Sequence, residues 1–63
     1  MDTLQQLEQI IDRVGLKSTV EALAIVCDLK GDHLVQNWQD QTSASVWYRN
    51  MKRLDKVAAK LET

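Results

Sequence analysis

Apolar and small residues recur along this chain at steps of three and four, and they fall into three runs. The longest lies within residues 18–40, where Val20, Ala24, Cys27, Gly31, Leu34 and Trp38 share one helical stripe. A second stripe, Ala44, Trp47, Met51, Leu54, Ala58 and Leu61, runs along residues 41–61. Folded antiparallel about a turn at residues 39–41, the two come into register. Leu34 then faces Trp47, Gly31 faces Met51, Cys27 faces Leu54, Ala24 faces Ala58 and Val20 faces Leu61. A shorter stripe of Leu4, Leu7, Ile11 and Val14, widened by Ile10, predicts a helix over residues 4–14. The expected fold is all-α, one domain over residues 1–63: a short N-terminal helix followed by a long antiparallel helical hairpin.

The ends of these helices carry local signals. Asp2 or Thr3 can cap the first, and Gly15 suits the left-handed residue that stops it, with Leu16 as the apolar closure. Ser18 followed by Glu21 reads as a capping box opening the second helix. Asp40, or else Thr42, caps the third. Gly31 falls mid-helix, at a cost of about 1 kcal/mol relative to alanine. Either the helix stops at Lys30 and another begins near Asp32, or it continues and Gly31 admits a bulky neighbour. The unbroken stripe and the flexible Met51 opposite favour continuity. Trp38 and Trp47 are expected to plug the turn end of the hairpin beside the cap residue Asp40. Asn37, Gln39 and Gln41 are at hand for their indole N–H groups.

The first half of the second helix is apolar on its opposite face too, through Ala22, Ile25, Val26 and Leu29. A helix apolar all round is covered on every side. The third helix covers one side and the short first helix only part of the other. Ile25, Leu29, Ala22 and Val26 are therefore the expected contact between subunits. The assembly this predicts is a homodimer in which two hairpins make a four-helix bundle, with the first helix flanking.

Charge adds a second asymmetry. The net charge is −1, but residues 1–40 hold seven acids against three bases, and residues 41–63 hold five bases against two acids. The five bases, Arg49, Lys52, Arg53, Lys56 and Lys60, cluster opposite the apolar stripe of the third helix. This face is a candidate dock for an acidic protein partner or, as the runner-up, for nucleic acid, although it lacks interleaved aromatic residues apart from Tyr48 to one side. A helix–turn–helix reading of IIDRVGLKSTVEALA fails on its recognition helix. That helix would present Ala22, Ile25, Val26 and Leu29 together with Glu21 and Asp28 to the phosphates.

Little in the chain can carry chemistry. Cys27 and His33 are the only soft metal ligands, and six positions apart on a helix they point to different faces. There is no phosphate-binding glycine loop, and no serine is set beside a histidine. No catalytic, cofactor-binding or metal residue is expected, and the chain is not read as an enzyme. No apolar run reaches the roughly 18 residues of a membrane span. The first residues do not read as a signal peptide, and a single cysteine suits a reducing cytoplasm.

Glu21 to Leu23, Cys27, Lys30, His33, Leu34, the N-W-Q-D of residues 37–40, and Trp47 together cover about half the chain. In these residues it resembles a group of small, uncharacterised all-helical proteins of cyanobacteria and tailed phages. Many members have alanine where this chain has Gly31, which implies a continuous helix there. The resemblance implies no activity, cofactor or catalytic residue. The functional expectation is a small cytoplasmic protein–protein interaction or regulatory module acting as a helical homo-oligomer. A ligand stacked between Trp38 and Trp47 is a weaker third reading.

Overall fold

The computed structural model describes residues 2–63, and those residues form three helices and no strand: α1 (Thr3–Val14), α2 (Leu16–Trp38) and α3 (Gln41–Lys60). Asp2 is the cap of α1, its carboxylate accepting the Gln5 amide at 2.8 Å. The helix stops at Gly15, whose amide donates to the Ile11 carbonyl at 2.7 Å.

Gly15 has the expected positive φ, 93°, but its ψ of 160° is extended rather than left-handed helical. The chain therefore turns within one residue and restarts as α2 at Leu16. Leu16 does not close a cap, and Ser18 lies inside the helix instead of capping it. No capping box with Glu21 forms. Thr19 ties the first turn instead, its amide (3.1 Å) and hydroxyl (2.7 Å) both donating to the Gly15 carbonyl. Its side chain is buried there with its hydrogen bond made.

α2 runs unbroken through Gly31 and ends at Trp38, immediately before the expected turn at residues 39–41. Gln39 takes the left-handed conformation (φ 51°, ψ 33°), which costs a residue with a Cβ about 1–2 kcal/mol. In return, the Gln39 and Asp40 amides donate to the Val35 and Leu34 carbonyls at 3.1 and 3.0 Å, satisfying the end of the helix. Asp40 then caps α3 as expected, accepting the Ser43 amide at 3.0 Å. With only two residues between them, α2 and α3 close into a helical hairpin.

The hairpin is built on small residues. Ala24, Cys27 and Gly31 of α2 and Ala44 and Ala58 of α3 are buried, and no large side chain is. Small side chains let two helix axes approach closely. At Gly31 the approach leaves no room for a side chain: a Cβ would lie 2.5–2.9 Å from ring carbons of Tyr48. The side chain nearest Gly31 is thus Tyr48, where the stripes pair the glycine with Met51, one turn further along α3. The Tyr48 hydroxyl donates to the Asp32 carboxylate at 2.6 Å, which holds the ring over the glycine. Methionine has no such tether.

The paired-tryptophan plug does not form. Trp38 is 76% exposed, because the left-handed Gln39 follows at once and the indole stands clear of α3. Trp47 alone is half-buried, and the Lys30 ammonium lies 5.9 Å from its ring centroid.

α1 departs furthest from expectation. It has no buried residue, approaches α2 and not α3, and leaves the outer face of α2 uncovered. The molecule measures 37 × 30 × 13 Å between Cα atoms. Two helices packed 8–10 Å apart span about 13–15 Å between Cα atoms, so nowhere is the structure more than two helices deep.

Gly31→Ala checks the close approach. Helix propensity alone favours alanine by about 1 kcal/mol, but displacing the Tyr48 ring is expected to reverse the sign, for a net loss of about 1–3 kcal/mol. Thermal melting followed by circular dichroism should then drop by about 4–8 °C for each kcal/mol. An unchanged or raised midpoint contradicts the packing.

Candidate interaction face

α2 carries two apolar faces because its sequence repeats the three-and-four spacing twice, half a turn apart. Ala24, Cys27 and Gly31 point into the hairpin. Ala22, Ile25, Val26 and Leu29 lie roughly opposite, at about 100° per residue, and all four are exposed. Ile25 is 62%, Leu29 52% and Val26 46% accessible. Val26 and Leu29, with Lys30 and His33, line a shallow groove of about 270 Å³ on this face. The four residues expected at a subunit contact thus lie together on one open face.

Lys30 forms the rim of the groove toward α3, beside Trp47. The opposite flank is acidic, with Glu21, Asp28 and Asp32 along one side of α2. Tyr48 feels that acidity. Its hydrogen bond to Asp32, then burial, then the charges of Asp32 and Asp28 push the phenol up to about 12 from its usual 10. At the turn, the Ser43 amide holds the Asp40 carboxyl below its ordinary range.

The other residues singled out from the sequence are dispersed. Arg49, Lys52, Arg53, Lys56 and Lys60 are all exposed on α3. Cys27 is a buried free thiol and His33 is exposed on the outer face. No group of three metal-binding side chains occurs among the described residues, and no described helix is long and apolar enough to cross a membrane. Two participants escaped the sequence reading. By spacing, Tyr48 is only an aromatic residue to one side of the basic face, and Thr19 carries no signal in the pattern. Only the pairing of a glycine with an aromatic residue across the hairpin could have signalled the first.

The accessible surface of the chain is 5086 Å² for a mass of 7.2 kDa. A folded monomer of that mass exposes about 4,100 Å². Exposed large apolar side chains contribute to it: beside the outer face of α2 they include Leu4 (77% exposed) and Leu7 on α1.

Tyr48 is the only tyrosine, so phenolate absorbance reads it directly. A folded value raised above the unfolded one means that its stabilising contribution is complete below about pH 10 and is lost as the pH rises toward 12. Alkaline titration should show Tyr48 ionising near pH 12 in the folded protein, with the melting temperature falling over the same interval. Asp32→Asn should bring the ionisation down toward 10. Ionisation of the unmodified protein near 10 contradicts the Tyr48–Asp32 bond.

No protein-family model matches this chain, and neither the curated proteins nor the solved structures include a significant match.

Proposed function

We propose that the chain is a small cytoplasmic helical interaction or regulatory module that works as a homo-oligomer. In this reading two copies close on the outer face of α2 to make a four-helix bundle, with α1 flanking. The observation that carries it is the surplus surface. Roughly 1,000 Å² beyond that of a compact monomer is close to the ~800 Å² that each partner buries in a standard stable interface. Fully burying a leucine or isoleucine is worth about 1.5–3 kcal/mol, so half-exposed Ile25, Val26 and Leu29 leave several kcal/mol available to association.

Sedimentation velocity tests the assembly. The unmodified chain should sediment as a dimer at micromolar concentration. Leu29→Glu and Ile25→Glu should each give a monomer with unchanged helix content, because neither side chain lies in the hairpin seam. A monomeric unmodified chain defeats the reading.

A second reading rests on the exposure of all five cations of α3. Along one helix face they offer a row of positive charge to an acidic partner or, alternatively, to a phosphate backbone. If nucleic acid is the partner, retention on DNA or RNA should fall steeply with salt and vanish when Arg49, Lys52, Arg53 and Lys56 are neutralised. Salt-insensitive or absent retention rejects it.

A further inference from the structure

Two surfaces of this chain lack partners, and they complement each other. One is the apolar stripe of α1, with Leu4, Leu7 and Val14 exposed. The other is the α2 groove lined by Val26, Leu29, Lys30 and His33. We propose that α1 of one copy lies antiparallel in the α2 groove of a second copy, and reciprocally, so that the arms are exchanged. This rests on self-association through the outer face of α2, and it replaces the direct α2–α2 contact of the four-helix bundle by contact of each α2 with the α1 of the other copy.

The arm cannot fill the groove of its own chain. Antiparallel helices joined side by side need a connection of about 2–5 residues, and α1 and α2 share the single residue Gly15. That residue is tied to both helices, donating to Ile11 and accepting from Thr19. The Thr63 carbonyl also closes on it, at 2.6 Å from where a Cβ would stand. α1 is therefore held splayed from α2 with its stripe open. A 12-residue helix is marginal in water without a surface to dock on.

Length and charge select the partner and its direction. Twelve residues make a rod of about 18 Å, and the outer face from Ala22 to His33 has the same extent at ~1.5 Å per residue. On α2, Lys30 lies on one side of the apolar line and Glu21, Asp28 and Asp32 on the other. On α1, Glu8 and Asp12 lie on one side of the stripe and Arg13 on the other. Two helices set face to face and antiparallel bring flanks of the same rotational sense together. Lys30 then meets Glu8 and Asp12, and the acidic flank of α2 meets Arg13. Parallel docking does the reverse, placing Lys30 against Arg13 and acids against acids, so charge rejects it.

A reciprocal charge exchange tests the arrangement, with the dimer dissociation constant read by sedimentation. Lys30→Glu alone and the pair Glu8→Lys with Asp12→Lys should each weaken the dimer by about tenfold or more, since like charges then face one another. The three changes combined should restore an affinity close to that of the unmodified chain. All these side chains are exposed in the single chain, so helix content should be unaffected. If both sets weaken the dimer without mutual rescue, or if neither weakens it, α1 does not lie in the groove although the dimer stands. If the unmodified chain is monomeric, the exchange and the self-association on which it rests both fall.

Discussion

Ala24, Cys27 and Gly31 meeting Ala44 and Ala58 across the hairpin is the contact on which the rest depends. Small residues let α2 and α3 come close and gain dispersion along their length, but they remove little apolar area from water. The larger side chains of the two stripes, Trp47, Met51 and Leu54 among them, are left half-buried at the margins of the seam. A chain of 63 residues is already near the size at which one core barely suffices. A seam of alanines keeps this one thin, and much of its apolar surface faces outward.

That thinness explains both open faces. Globular domains pack at least two layers of secondary structure around a shared core. Here the hairpin supplies the only packed pair, and the one-residue connection at Gly15 prevents α1 from folding back as a further layer. α2 keeps an apolar face with no element over it, and α1 keeps an apolar stripe of which Leu4, Leu7 and Val14 stand exposed. The two are of similar length and carry opposite charges on corresponding flanks.

A seam of small residues also specifies register weakly, since one alanine resembles the next. The correction comes from a polar contact. Tyr48 rests in the notch that Gly31 leaves and donates to Asp32, sixteen residues away. It is the one hydrogen bond between side chains among the described residues, so it counts for more than its energy in fixing how the helices slide past one another. At the turn, Gln39 and Asp40 fix the other end of the register through backbone bonds to α2 and the cap on α3.

Periodicity by itself determined the three helices, the hairpin, the buried line through Ala24, Cys27 and Gly31, the cap at Asp40 and the second apolar face at Ala22, Ile25, Val26 and Leu29. These follow from side-chain spacing on a helix and from hydrogen bonds within a few residues, both local properties of the chain. Which residue fills the notch at Gly31, where Trp38 points, how α2 begins and whether α1 folds back were decided only by tertiary structure. Tyr48 and Met51 sit one turn apart on the same side of α3, so spacing cannot rank them, whereas a hydroxyl within reach of Asp32 can. The direction of α1 likewise depends on the two dihedral angles of Gly15, and glycine, lacking a Cβ, leaves those angles unspecified by local sterics.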